Sequence, residues 1–149
     1  MHIVLIGCSK KKKDGQHPAR ELYSSPLFRK SLAYAEAIGD EVFIVSSYWE
    51  LVPLDKVIQS YEESLYDKPR DVRAAWGDRI VGELLLVNPA AGIAGDIQLT
   101  ILAGDMYIKP ILKGVRSLGI DWQINDPLKG LSVGERLRWL NEQLDRVKA

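Results

Sequence analysis

Ile3-Val4-Leu5-Ile6-Gly7-Cys8-Ser9-Lys10 is the stretch on which the fold turns. Four apolar residues run without a break, three of them β-branched, and Gly7 ends the run. A strand with one wet face alternates apolar and polar side chains; an unbroken run marks a strand buried on both faces. Such a strand belongs in a parallel sheet covered by helices. The same signature should therefore recur, with helical patterns in between.

It does. Val42 to Val45 is a second buried run ending at Ser46-Ser47, Ile97 to Leu102 is a third leading into Ala103-Gly104-Asp105, and Trp122 to Ile124 is a short fourth. Ser25 is an N-cap with Pro26 at the first helical position, and Phe28, Leu32, Ala35 and Ile38 trace an apolar stripe that Gly39 ends. Asp71 to Val87 reads as a helix weakened by Gly77 and Gly82. A further helix follows Asp105, and Pro110 is expected to kink or shift it unless it falls in the first turn. Ser132-Val133-Gly134-Glu135 is a capping box opening a helix with Val133, Leu137, Leu140 and Leu144 on one face. Lys10 to Leu22 and Asn88 to Gly95 read as loops, and residues 48–70, bracketed by Pro53 and Pro69, as an irregular excursion with one short helix at most. The expected fold is α/β: a three-layer, mainly parallel central sheet of about four strands with helices on both faces, in a single domain over residues 1–149.

Composition narrows the class. Apolar residues at 46% supply a core and charged residues at 27% an ordinary soluble surface. No run approaches the roughly 18 apolar residues of a membrane span, and the short Ile3–Ile6 stretch followed by lysines is not expected to be a signal peptide. A single cysteine excludes an internal disulfide and suits a reducing cytoplasm. With two histidines beside it, a zinc site built from those residues is not expected, nor is any cofactor. The formal net charge is zero, which argues against coating nucleic acid by bulk charge. Yet residues 1–30 hold seven Lys/Arg against two Asp/Glu, a balance of +5. That asymmetry reads either as a basic edge for an anion or as a solvated lysine loop.

In open α/β sheets ligands bind beyond the carboxyl ends of the strands. Three such ends carry small or polar residues: Gly7-Cys8-Ser9, Ser46-Ser47 and Ala103-Gly104-Asp105. Small residues admit a ligand to the backbone, and helix N-termini beyond them favour anions. Cys8 is either a nucleophile with Lys10 to Lys13 nearby or a small residue filling the strand end, and the lack of an obvious histidine base favours the second. Lys10 and Lys12 suit phosphate binding, Asp105 a helix cap or a catalytic carboxylate, and Tyr107 a contact to a base. Trp76 and Trp139 read as core.

Several segments together resemble an uncharacterised bacterial and phage domain family with a Cys-x-Lys-x-Lys loop and an Ala-Arg-(acidic)-Leu-Tyr segment. They are Gly7-Cys8-Ser9-Lys10-Lys11-Lys12, Pro18-Ala19-Arg20-Glu21-Leu22-Tyr23, Ser25-Pro26-Leu27-Phe28, Ser46, Pro53-Leu54-Asp55, Tyr61, Ala75-Trp76, Ala103-Gly104 with Tyr107, and Pro127-Leu128-Lys129-Gly130-Leu131. Ser46 through Tyr61 also resembles a stretch of the YaaA peroxide-stress proteins, which are associated with DNA binding. Cys8-Ser9-Lys10-Lys11-Lys12 with Tyr23-Ser24 resembles a motif of the archaeosine synthase core domain, which modifies a 7-deazaguanine base in tRNA and has a core similar to uracil-DNA glycosylase. Where these families carry His-Gly or Tyr-Gly after the second strand, this chain has Trp49-Glu50, which is expected to alter the turn and offers Glu50 as a carboxylate.

The resemblance and the strand ends together imply a nucleobase- or nucleotide-directed enzyme of glycosidase or base-modifying type, with a nucleobase, nucleotide or nucleic acid as partner. Cys8, Glu50 and Asp105 are the catalytic candidates; Gly7, Ser9, Lys10, Lys12, Tyr23, Ser46, Ser47, Gly104 and Tyr107 are the binding candidates. The alternatives are a non-catalytic DNA- or RNA-binding module and a structural domain of a modification or defence system.

Overall fold

The computed structural model describes residues 1–87 and 97–148, so the loop expected at Asn88 to Gly95 lies outside the described residues. The first run forms β1 (His2–Gly7), and its side chains divide as a doubly buried strand requires. Ile3 and Leu5 enter one apolar core, Val4 and Ile6 the other, and all four are buried. Burying each such side chain contributes about 1.5–3 kcal/mol relative to leaving it in water.

The chain continues through β2 (Gln16–Pro18), α1 (Ala19–Leu22), α2 (Pro26–Ile38), β3 (Glu41–Ser46), β4 (Glu50–Pro53), β5 (Val57–Gln59) and a 3-10 turn at Leu65–Asp67. It then forms α3 (Arg70–Val87), β6 (Gln98–Leu102), α4 (Asp105–Ser117), β7 (Gln123–Asn125) and α5 (Val133–Lys148). The central sheet has five strands in the order β4-β3-β1-β6-β7. β1 pairs in parallel with β3 and β6, and β7 in parallel with β6; β4 alone is antiparallel. Helices α3 and α4 pack together over one face and α2 and α5 over the other, giving the three layers.

Two segments expected to be irregular contain strands. Within 48–70, β4 extends the sheet and β5 pairs with β2, which itself lies in the expected Lys10–Leu22 loop. All three are short, and β2 and β4 end in prolines. The capping box forms as read: Glu135 N–H donates to Ser132 Oγ and Ser132 N–H to Glu135 Oε1. Ser25 Oγ caps α2 by accepting from Phe28 N–H. At the head of α4, however, the cap is Gly104, and Asp105 is the exposed first helical residue.

Pro110 does not break α4, which runs on to Ser117. It lies past the first turn, buried against α3. The partner there is Gly77, where an added Cβ would meet the Pro110 carbonyl oxygen at 2.3 Å. A glycine that weakens the helix in isolation thus sets the distance between two helices.

Candidate functional site

The chain passes from β1 to β3 on one side and then to β6 on the other, so the sheet's connections reverse direction at β1. That reversal opens a crevice at the carboxyl ends of β1 and β6. Gly7 allows it: a Cβ there would lie 2.9 Å from the Ala103 Cβ. Cys8 follows, half-buried, donating its backbone N–H to Val45 O, with its side chain packed against both cores.

Beside Cys8 lies a buried chain of hydroxyls. Tyr48 and Trp49 N–H groups donate to Ser46 Oγ at 3.2 and 2.9 Å. With both lone pairs engaged, Ser46 sends its own hydrogen to the Tyr61 hydroxyl at 2.9 Å. The Tyr61 hydroxyl in turn lies 2.6 Å from that of Tyr23. One of these phenols donates to the other, and the remaining phenolic hydrogen is left for an acceptor outside the pair. Burial pushes both phenols above the usual tyrosine range, and the nearby Cys8 raises them further. Tyr107 touches Cys8 from α4 and is raised by burial and by Cys8 as well; its hydroxyl accepts from Leu65 N–H at 3.5 Å. The thiol therefore sits among three tyrosine hydroxyls.

The lysine loop is built rather than loose. Lys12 bridges to Tyr23, Lys13 N–H donates to Leu22 O, and Ser24 N–H donates to Lys11 O. Ser9 Oγ also donates to Lys11 O. Lys12 Nζ lies 4.6 Å from the Tyr61 ring centroid, a cation–π distance, while Lys10 remains exposed. Ser9, Lys10, Lys12, Glu63, Tyr66 and Tyr107 join Cys8 around a recess of about 80 Å³.

Across Cys8 and Ser9 is a second hollow of about 70 Å³, lined also by Gly7, Ser25, Ser31, Gly104 and Arg136. Arg136 comes from α5, donating to Leu131 O and Ala103 O. Asp126 is half-buried nearby; burial raises its carboxyl, and the charge of Asp105 raises it further.

The structure thus gathers Gly7, Cys8, Ser9, Lys10, Lys12, Gly104 and Tyr107 around the two hollows. Tyr23 and Ser46 stand behind them in the hydroxyl chain, and Ser47 Oγ donates to Glu63 O. Glu50 and Asp105 do not join this group: Glu50 pairs with Arg79 of α3, Asp105 is the exposed first residue of α4, and neither lines either hollow. The Glu50 backbone has φ 65°, the left-handed conformation that glycine adopts freely, so the turn survives the Trp49-Glu50 replacement. Both histidines are committed elsewhere. His2 lies at the opposite end of β1, against Thr100 and Ile38 O, and His17 meets Asp14 O. Trp76 is core as read, with its indole N–H donated to Ser46 O. Glu63, Tyr66 and Arg136, which line the hollows, and Asp126, which feels the charge of Arg136, were missed, since long-range packing brings each of them there. Among the described residues no group of three or more His, Cys, Asp or Glu could hold a metal ion, and no helix is long and apolar enough to cross a membrane.

A family profile matches residues 3–142, which take in both hollows and all of the sheet but His2. The chain belongs to DUF6884, a family of unknown function. Among curated proteins no match is found.

Proposed function

We propose that the chain is a nucleobase- or nucleotide-directed enzyme of glycosidase or base-modifying type, with its ligand at the carboxyl ends of β1 and β6. The observation that carries this reading is the proton count of the hydroxyl chain. Ser46, Tyr61 and Tyr23 leave one phenolic hydrogen without a partner inside the chain, near Cys8 and behind the recess that Cys8 lines. Such a donor suits the carbonyl or ring-nitrogen edge of a base, and Tyr66, mostly exposed, offers a ring face for stacking. Exposed Lys10 at the recess, and Arg136 with the backbone at Gly104 on the other side of Ser9, suit phosphate or ribose oxygens. Asp126, whose carboxyl is raised by burial and then by the charge of Asp105, supplies near Arg136 a carboxyl suited to holding a proton. The likeness of the Cys8–Lys12 loop and Tyr23-Ser24 to the archaeosine synthase core points the same way.

A non-catalytic DNA- or RNA-binding module, as the YaaA likeness suggests, is the second reading. It is favoured by the absence of a histidine near Cys8.

The test is a binding and turnover screen of free bases, nucleosides and nucleotides, followed by NMR on the Tyr and Cys8 signals and by chromatography of products. The expected result is a ligand that shifts Cys8, Tyr66 and Tyr107 and binds about tenfold more weakly to Tyr61→Phe, the loss of one hydrogen bond. Lys10→Ala should weaken a phosphorylated ligand more than its nucleoside, and less so at high salt. A ligand that binds without turnover selects the second reading. No shift at these residues with any base, nucleoside or nucleotide overturns both.

A further inference from the structure

A second cluster of cations lies away from the lysine loop of residues 10–13. Between α3 and α4 runs an open groove of about 520 Å³ lined by Arg70, Arg73, Lys109, Lys113 and Arg116, with one carboxylate, Asp105, at its end. The spacing explains the convergence. Arg70 and Arg73 are one turn apart on α3, and Lys109, Lys113 and Arg116 stand at i, i+4 and i+7, on one face of α4. Among the described residues none of the five forms an ion pair; Arg73 donates to Lys68 O, and the ion pairs lie elsewhere. Like charges converging on one cleft focus a positive potential, and an anion there removes their mutual repulsion.

We propose that the α3–α4 groove holds the phosphodiester backbone of a single-stranded nucleic acid and leads one of its bases to Tyr66 and the recess at Cys8. A row of cations along two helices fits a repeating anion better than one phosphate. The groove ends at Asp105 and Met106, in the first turn of α4, and Tyr107 in that turn lines the recess. Tyr66 stands at the junction, its hydroxyl 3.3 Å from where a Gly104 Cβ would lie, with the residue 58% exposed. A basic track ending at an exposed aromatic is the arrangement that binds unpaired strands. A recess of about 80 Å³ admits part of a base and no base pair. The charge of the groove stands by itself; the destination of the base rests on the nucleobase reading above.

The experiment is fluorescence anisotropy with a labelled single-stranded DNA of roughly 20 nucleotides, a length that covers a groove of this kind. The variants are Lys109→Gln/Lys113→Gln, both exposed, and the charge reversal Arg70→Glu/Lys113→Glu, each checked for fold by circular dichroism. Five phosphate contacts would weaken wild-type binding about 100-fold between 50 and 200 mM salt, and each lost contact should lower the log–log slope by about 0.7. The double Gln variant is expected to bind at least about tenfold more weakly at low salt, with a correspondingly shallower slope. Unchanged oligonucleotide affinity in both folded variants overturns the groove and leaves the recess reading standing. Oligonucleotide binding that responds to these variants, together with no response of Cys8 and Tyr107 to any base or strand, keeps the groove and removes the recess. Equal affinity for duplex overturns the single-strand assignment. Competition by polyglutamate at matched charge overturns the choice of nucleic acid over an acidic protein.

Discussion

The hydroxyl of Tyr61 lies 2.6 Å from that of Tyr23, and both side chains are buried. Tyr61 also receives the hydrogen of Ser46, so it is the middle of the chain, whereas Tyr23 is an end. Removing the middle strands both neighbours; removing the end leaves the Ser46–Tyr61 bond intact. Tyr61→Phe should therefore cost about 1–3 kcal/mol of stability and Tyr23→Phe about 1 kcal/mol. Urea denaturation of the two variants measures the order. Tyr23→Phe as the more damaging change would show that Ser46 does not depend on Tyr61.

The same phenols predict a dependence on alkaline pH. Burial raises Tyr23, Tyr61 and Tyr107 above the unfolded value of about 10. Above that pH the unfolded chain releases phenolic protons that the folded chain retains, so the unfolded state is favoured. Stability should be flat through neutrality and fall above pH about 10, at up to about 1.4 kcal/mol per pH unit for each tyrosine. Tyr61→Phe should make the decline shallower. A decline unchanged in that variant would assign it to other groups.

How far the sequence revealed this arrangement depends on the distance over which each part is built. β1 was legible because burial on both faces leaves an uninterrupted apolar run, and β3 and β6 repeat it. β4 was not: Glu50-Leu51-Val52-Pro53 is an edge strand of four residues with one neighbour, and nothing in it alternates cleanly. That Cys8, Gly104 and Tyr107 share one end of the sheet was legible from the strand ends, because topology alone places them together. Arg136 stayed hidden since its contact with Ala103 O spans 33 residues of sequence, and Tyr61 reaches Tyr23 across 38. The basic groove was hidden by the zero net charge, and it needs two helices packed side by side.

Gly77 and Gly82 look alike in the sequence and should behave oppositely. A Cβ at Gly82 meets nothing within 4 Å, so Gly82→Ala should stabilise the chain by about 0.5–1 kcal/mol through helix propensity. A Cβ at Gly77 would press into the backbone of Pro110, which cannot move without shifting α4. Gly77→Ala should cost about 1–3 kcal/mol net, the usual range for overpacking. Thermal denaturation of both variants decides it, and a neutral Gly77→Ala would mean that α3 and α4 separate readily.

Glu50 carries a different kind of strain. A side chain at φ 65° costs about 1–2 kcal/mol, and the Glu50–Arg79 pair, partly exposed, returns about 0–1 kcal/mol. Glu50→Gly should therefore be neutral or stabilising by up to about 1 kcal/mol, although it removes a charge and an ion pair. Glu50→Ala keeps the strain and loses the pair, so it should be the less stable of the two. Glu50 lines neither hollow, so Glu50→Gly should also leave ligand binding unchanged. Loss of binding in a folded Glu50→Gly protein would bring Glu50 back into the site.

Cys8 separates a packing role from a covalent one. Its side chain touches both cores, so Cys8→Ala should lower stability by about 1 kcal/mol, the cost of a small void. A nucleophilic thiol needs a base or a cation that favours the thiolate. Here the neighbours are tyrosines held protonated by burial, and Lys12 rests over the Tyr61 ring. The histidines lie elsewhere. Cys8→Ala should accordingly keep ligand affinity within about tenfold and retain much of any turnover. Cys8→Ser, which restores a hydrogen-bonding group of similar size, should recover part of the lost stability. Turnover lower by orders of magnitude in a folded Cys8→Ala protein, with binding preserved, would instead identify a covalent intermediate at the end of β1.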